Sequence, residues 1–270
     1  MNANVQTVQA ATDSPYVLRS VADGVATVTL NRGERFNPLS SAMIAALQAE
    51  LDAIAADASV RVVVLAGAGA HFCVGHDLRE MRTHPDQAWQ RSLFERCGRM
   101  MMSIVNLPQP VIARVQGTAV AAGCQLVAQC DLAIAADAAR FALPGIKNGI
   151  FCTTPGVPVA RTIGRKHALE LLLTGDLIDA ATAASWGLVN RTVPAAELDA
   201  AVAALARKIA GHSPAVVRFG KKAFYEQSGR TLAAAYEYAG EAMACNMMFE
   251  DAAEGIDAFL AKRAPVWRGR

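Results

Sequence analysis

Residues 116–131 read QGTAVAAGCQLVAQCD, and this stretch decides both the fold and the candidate site. Before it, residues 110–115 form a short apolar run rich in β-branched side chains, which predicts a buried strand. After the small residues, Leu126, Val127 and Cys130 recur at the spacing of one helix face, which predicts a short helix. Since almost no side chain at this junction is larger than a methyl group, a ligand can approach the backbone closely.

The predicted helix start near Ala122 offers unpaired backbone N–H groups and the partial positive charge of the helix dipole. Such a position suits an anion, or the oxyanion that develops on a reacting carbonyl group. Small residues at a junction of this kind also arise from tight packing alone. By itself the stretch leaves both interpretations open.

A second stretch favours the functional interpretation. Residues 62–67 (VVVLAG) predict a buried strand that ends in glycine, and residues 71–78 (HFCVGHDL) follow it. Asp77 is placed to cap a helix, and the backbone N–H group beside it is a second donor. We therefore expect the two stretches to hold one carbonyl oxygen between two amides.

Together the two stretches resemble the crotonase family, also called the enoyl-CoA hydratase/isomerase superfamily, from about Tyr16 to the C-terminus. The segments that carry the resemblance are residues 30–32, 72–77, 110–113, 122–126, 130–131, 173–176, 184–189 and 259–263. Residues 124–126, 151–156 and 263–267 are similar to the branch typified by enoyl-CoA hydratase domain-containing protein 3.

The alternation of strand and helix patterns predicts α/β architecture with mostly parallel strands. The resemblance implies, more narrowly, a crotonase-like spiral of ββα units with a helical C-terminal region used for trimerisation. We expect a flexible tail over residues 1–15, the spiral core over 16–195 and the helical region over 196–270. From Arg161 onward the strand patterns stop and only helical patterns remain. On the residues alone, this last region is equally an ordinary helical cap.

Composition excludes several classes of function. The net charge of +2 gives no basis for nucleic-acid binding, and no apolar run is long enough to span a bilayer. The six cysteines show neither disulfide spacing nor a paired metal motif. Without an export signal they are expected to be reduced, so we expect a cytoplasmic protein with no metal and no membrane partner.

The resemblance places the thioester carbonyl between the backbone amides of His76 and Ala122, where Ala122 replaces the usual glycine. The two glutamates of family hydratases correspond to Gln125 and Gly145. Glutamine can orient a water molecule but cannot accept its proton, and glycine has no side chain. Since one positioned acid–base group contributes about 10²–10⁴ in rate, we expect hydratase activity to be poor or absent.

Two further residues are candidates for chemistry. Cys152 is expected to face the pocket, although an unactivated thiol is more often a packing residue. The tripeptide at residues 75–77 is similar to that of family decarboxylases that act on malonyl-type thioesters. A histidine at a helix start is also commonly only a solvated cap, so a role for the His76 side chain stays open.

The resemblance implies an acyl-CoA thioester as the partner, with coenzyme A as part of the substrate rather than a separate cofactor, and a homotrimer or a hexamer of two trimers. The candidate contacts to coenzyme A are Arg35, His76, Asp77, Leu78, Arg79 and Lys262. Guanidinium and ammonium groups suit its phosphates, although Arg79 is equally explained as a solvated surface charge. Three functions remain: an enoyl-CoA hydratase-like lyase, a decarboxylase of a short malonyl-type thioester, and a non-catalytic acyl-CoA binder.

Overall fold

The computed structural model describes residues 14–270. The flexible tail predicted over residues 1–15 falls, as far as residue 13, outside the described residues.

The described chain alternates strands and helices in its first part and is mostly helical in its last part. The strands are β1 Val17–Ala22, β2 Val25–Leu30, β3 Val62–Gly67, β4 Val111–Val115, β5 Thr118–Val120, β6 Leu132–Ala136, β7 Arg140–Ala142, β8 Ile178–Asp179 and β9 Arg191–Val193. The helices are α1 Ser41–Ala55, α2 Leu78–Thr83, α3 Gln87–Asn106, α4 Ala122–Gln129, α5 Thr153–Thr162, α6 Arg165–Thr174, α7 Ala180–Trp186, α8 Leu198–Ala210, α9 Pro214–Ser228, α10 Leu232–Asn246 and α11 Glu250–Leu260. Short 3₁₀ turns lie at Gly33–Arg35, Pro144–Asn148 and Ala195–Glu197.

Six strands form the main sheet, in the order β1-β2-β3-β4-β6-β9. Only the β1–β2 pair is antiparallel, and the other neighbours run parallel. A second sheet has the order β5-β7-β8. The predicted α/β architecture with mostly parallel strands is confirmed.

Both faces of the main sheet are covered. On one face, residues such as Val63, Leu65 and Ala113 belong to a large core that includes side chains of α1, α3 and α4. On the other face, Val62 and Val64 pack with residues of α8 in a smaller core. Because both faces of β3 are buried, its sequence is a continuous apolar run rather than an alternating one.

Short polar side chains cap two helices, and the cap at Asp77 confirms the prediction made from the sequence. Ser40 caps α1, its hydroxyl accepting from the amide of Met43 at 3.2 Å. Asp77 caps α2, its carboxylate accepting from the amides of Arg79 at 2.9 Å and Glu80 at 3.2 Å. The Asp77 cap fixes where the chain turns after β3, and it lies beside the candidate site.

The prediction that strands stop at Arg161 is wrong. Strand β8 pairs antiparallel with β7, and β9 extends the main sheet by pairing with β6. Both strands are two or three residues long, too short for the alternation that marks a strand in sequence. The Asn190 side chain accepts from the amide of Ala133 at 2.8 Å, which helps to hold β9 against the sheet.

Helix α9 is tied to the segment between α4 and β6 by a half-buried polar cluster. The ammonium group of Lys221 on α9 donates to the Asp131 carboxylate at 2.7 Å, and the Tyr225 hydroxyl donates to it at 2.8 Å. Burial lowers the pKa of Lys221, and the charge of Asp131 opposes that effect. Over the described residues, no helix is both long and apolar enough to cross a membrane.

Candidate active site

The loop after β3 lies along β5 and the start of α4. The amides of Phe72 and Cys73 both donate to the carbonyl oxygen of Thr118, at 3.1 and 3.2 Å. The amide of Val120 donates in turn to the Cys73 carbonyl oxygen at 3.1 Å. The two stretches singled out in the sequence are therefore hydrogen-bonded neighbours.

Two glycines make this close approach possible. A Cβ atom at Gly123 would overlap the carbonyl oxygen of Cys73. Gly75 has φ +90°, and a Cβ atom there would lie 2.8 Å from the Ala121 methyl carbon and 3.1 Å from the Ala122 amide nitrogen. Only glycine fits at either position, so the peptide segments at 75–76 and 121–122 lie side by side.

The backbone amides of His76 and Ala122 lie directly after these close contacts and have no acceptor in the described chain. Within residues 14–270, neither the N–H group of His76 nor that of Ala122 has a hydrogen-bond acceptor. Ala122 is the first residue of α4, where the backbone N–H has no acceptor inside the helix. Two unpaired donors at one wall of a pocket suit a carbonyl oxygen on which negative charge develops.

Ala121 holds a strained backbone between these segments. Its φ of 50° and ψ of −122° belong to the first central position of a type II′ turn, which glycine normally occupies. A non-glycine residue at such an angle costs about 1–3 kcal/mol. Its amide donates to the Ala142 carbonyl oxygen at 2.9 Å, and its own carbonyl oxygen accepts from the Gln125 amide at 3.0 Å.

Most of the predicted site residues line one pocket of about 850 Å³. Those that line it are Arg35, His76, Asp77, Leu78, Arg79, Ala122, Gly145 and Cys152. Positions more than a hundred residues apart in sequence therefore meet at one cavity. Gln125 and Lys262 are not among its lining residues.

The His76 ring is held as one neutral tautomer. Its Nδ1 atom lies 3.2 Å from the carbonyl oxygen of Leu39, which only accepts, so Nδ1 carries the proton. Burial lowers the pKa of His76, while the hydrogen bond to Leu39 opposes that effect. The Nε2 atom is buried, without a partner among the described residues, and the ring meets Phe94 edge to face. Because the Leu39 amide also donates to Gly75 at 2.7 Å, these contacts fix the backbone that carries the His76 amide.

Gln125 lies one turn into α4 and is only 4% exposed. Its side-chain Oε1 atom is buried with no hydrogen-bond partner in the described part of the chain. Lys262 follows α11, with φ +55°. The neighbouring Arg263 is engaged elsewhere, donating to both carboxylate oxygens of Glu254 at 2.6 and 2.8 Å.

The space beside Gly145 is already filled. A Cβ atom there would lie 2.5 Å from the Ile150 carbonyl oxygen and 2.7 Å from the Cys152 sulfur. The amide of Ile150 donates to the Gly145 carbonyl oxygen at 2.9 Å, which closes the segment into a tight loop. Burial raises the pKa of the Cys152 thiol, and a hydrogen bond from the Gly145 amide opposes it. The thiol is therefore neutral at ordinary pH and is a weak nucleophile.

The pocket has an apolar wall and a charged rim. Sequence reasoning missed several of its lining residues, among them Glu34, Phe36, Phe94, Asn148 and Ile150. For Phe94, the only sequence signal is its place on a long helix. Within the described residues, Arg35 and Arg79 have no carboxylate at salt-bridge distance. No group of three or more metal-ligating side chains occurs in that same part of the chain.

The family model for enoyl-CoA hydratase/isomerase matches residues 20–270, which is most of the chain. The chain belongs to the enoyl-CoA hydratase/isomerase family. An enoyl-CoA hydratase structure from Mycobacterium smegmatis has 50% sequence identity and a TM-score of 0.92, covering 94% of this chain and 99% of that one. This similarity also confirms the predicted crotonase fold.

Two further relatives support the assignment of the chain to the enoyl-CoA hydratase/isomerase family. The human enoyl-CoA hydratase domain-containing protein 3, mitochondrial, is 44% identical over 91% of this chain and 81% of its own length. This relative confirms the resemblance to that branch. The 2,3-dehydroadipyl-CoA hydratase of Escherichia coli is 34% identical over 91% of this chain and 96% of its own.

The expectation of a cytoplasmic location is wrong on this comparison. The human relative and its rat and mouse counterparts are mitochondrial proteins. The expectation rested partly on unpaired cysteines, which indicate reducing surroundings but do not identify one compartment.

Proposed function

We propose that this protein binds an acyl-CoA thioester with the carbonyl oxygen between the amides of His76 and Ala122. The observation that carries the proposal is the pair of unpaired N–H groups at one wall of the pocket. Hydrogen bonds from two fixed amides stabilise an enolate or oxyanion more than they stabilise the neutral carbonyl group. The family membership supports the same substrate class.

The rim of the pocket suits the phosphates of coenzyme A. Arg35 and Arg79 line it as cations without a paired carboxylate in the described chain. Guanidinium groups bind phosphate through charge-assisted hydrogen bonds. Asp77 and Leu78 take part through the turn that carries the His76 amide. Lys262 remains a proposed contact, although it lies outside this pocket.

The reaction is hydratase-like in its enolate chemistry but has no evident carboxylate base. Gln125 and Gly145 provide none, and the Ile150–Cys152 segment fills the space beside Gly145. The carboxylates that do line the pocket are Glu34, exposed in a 3₁₀ turn, and Asp77, engaged in capping α2. Efficient hydration of a double bond is therefore not the expected activity.

Decarboxylation of a short malonyl-type thioester is the second candidate, and the missing carboxylates favour it. The breaking carbon–carbon bond leaves its electron pair on the thioester as an enolate while carbon dioxide departs, so no base has to remove a proton. Protonation of the enolate carbon then gives the product. The amides of His76 and Ala122 supply the stabilisation that this step requires. A protein that binds acyl-CoA without turnover is the third candidate.

Self-association is part of the proposal. Helix α10 has no buried residue, and Leu232, Tyr236, Met243 and Met247 form an exposed apolar stripe along one side of it. Leu232 is 76% exposed and Tyr236 is 75% exposed. A second copy of the chain suits this stripe, in a homotrimer or a hexamer of two trimers, because most soluble oligomers are symmetric assemblies of one chain.

The test compares butyryl-CoA with S-butyl-CoA, a thioether that lacks the carbonyl group, by isothermal titration calorimetry. Two amide hydrogen bonds predict that the thioester binds about tenfold tighter or more. Turnover of crotonyl-CoA and of malonyl-CoA, whose α carbon is unbranched, is then measured on the same preparation. Decarboxylation without hydration supports the second candidate, and binding without either supports the third. Equal affinity for thioester and thioether would contradict the proposed carbonyl site.

A further inference from the structure

Ala121 combines an unfavourable backbone conformation with a place in the pocket wall. Its φ of 50° is one that glycine adopts without cost. The backbone conformation therefore gives no reason for alanine at this position. What alanine has and glycine lacks is one methyl group. Ala121 is a lining residue of the pocket, and its side chain packs against the main core.

The position of the methyl group follows from covalent geometry. It is separated from the Ala122 amide nitrogen by three bonds, which keeps the two atoms within roughly 3.5 Å. On its other side it faces Gly75, since a Cβ atom at Gly75 would lie only 2.8 Å from it. The methyl group therefore closes the gap between the two segments that carry the unpaired amides.

A carbonyl oxygen bound to the Ala122 amide lies about 2.9 Å from its nitrogen. The sulfur and the α carbon of the thioester are both bonded to the carbonyl carbon, two bonds from that oxygen, and we expect one of them to approach the Ala121 methyl group. The methyl group has no room to move aside towards Gly75, because a Cβ atom there would already lie 2.8 Å from it. An extra substituent on the α carbon has to compete with the methyl group for this space.

We infer that Ala121 is a specificity-determining residue that excludes α-branched acyl groups from the pocket. The inference rests on the proposed acyl-CoA function. It assigns to a single methyl group the choice between straight and α-branched thioesters. Alanine at position 121 then lowers the free energy of unfolding and, in return, makes the pocket selective for straight acyl groups.

The test measures the affinities of butyryl-CoA and isobutyryl-CoA, two isomers that differ in branching at the α carbon, for wild type and Ala121→Gly. One poorly accommodated methyl group predicts that wild type prefers the straight isomer by about tenfold or more. In Ala121→Gly that preference falls below about threefold, mainly through tighter binding of the branched isomer. Since glycine accepts this φ without strain, the variant is expected to fold at least as stably as wild type.

Asp23→Gly is the matched control. Asp23 also has positive φ, at 51°, but lies in the exposed β1–β2 turn away from the pocket. The control keeps the wild-type preference. An unchanged preference in Ala121→Gly overturns the inference while leaving the proposed function intact. Failure of wild type to bind either isomer instead overturns the proposed function, and the inference with it.

Discussion

The backbone and the ring of His76 make different interactions. The backbone amide is a candidate donor to the substrate, whereas the ring holds the Leu39 carbonyl and lies against Phe94. Because the Nε2 atom is buried and unpaired, protonating the ring places a second N–H group where no described acceptor meets it. Protonation of this ring in acid is therefore expected to destabilise the folded protein.

The sign of the pH effect follows from the lowered pKa of His76 in the folded protein. An unfolded histidine titrates at about 6.5, so the unfolded state binds the proton first as the pH falls. The stability linked to the neutral ring is present above that pH and is lost as the pH drops through the folded pKa. We expect wild type to lose more free energy of unfolding between about pH 7.5 and about pH 5 than His76→Asn does.

Urea unfolding at the two pH values measures this loss. Asn keeps an N–H donor near Leu39 but cannot titrate. His212→Asn, which changes an exposed histidine, is the control and should follow wild type. Equal losses in wild type and His76→Asn would show that the ring does not sense pH.

At the scale of single residues, the sequence predicts candidate site residues but does not predict the backbone strain beside them. His76 and Ala122 follow small residues at predicted helix starts, a pattern that sequence carries directly. The positive φ of Ala121 was not predictable, because alanine is ordinarily a helix former. The surrounding backbone imposes that angle, through contacts that are distant in sequence.

Among the structural elements, the loop over residues 145–152 decides what position 145 can carry. The Ile150 carbonyl oxygen and the Cys152 sulfur lie where a side chain at Gly145 would begin. A glutamate therefore cannot be introduced at 145 without displacing the loop. Sequence comparison alone suggests a simple replacement there, whereas the loop makes it a change of backbone.

Gly145→Ala tests this loop. Crowding of the new methyl group is expected to lower the free energy of unfolding by about 1–3 kcal/mol in urea denaturation. Gly98→Ala is the control, because Gly98 is exposed within α3 and a Cβ atom there meets nothing within 4 Å. That change should be neutral or raise stability by about 0.5–1 kcal/mol, since glycine is unfavourable inside a helix. A Gly145→Ala protein as stable as wild type would contradict this prediction, because the loop would then have moved to make room for the methyl group at little cost.

Prediction of elements succeeded where the pattern was long or capped. Asp77 marked the start of α2 correctly, because a short polar side chain at such a position satisfies free amides. Strands β8 and β9 escaped prediction since their pairing partners, β7 and β6, lie far away in sequence. Their existence depends on those partners more than on their own residues.

For the whole molecule, the apolar stripe on α10 is the feature that one chain alone leaves uncovered. Tyr236→Lys places a charge within it and should shift the mass measured by light scattering towards that of a single chain. Wild type is expected at about three or six times that mass. Glu241→Lys lies on the opposite side of α10 and is expected to assemble as wild type does. A monomeric wild type, or a Tyr236→Lys protein of unchanged mass, contradicts the proposed interface.

The distribution of thiols makes this chain convenient for spectroscopy. Burial raises the pKa of Cys73, Cys97 and Cys124 to about 12, and Cys245 is the exposed cysteine of the sequence. It lies on α10, about 220° around the helix from Leu232 and so away from the apolar stripe. A maleimide dye or nitroxide attached there marks each subunit once, and the separation between labels then reports how the copies are arranged.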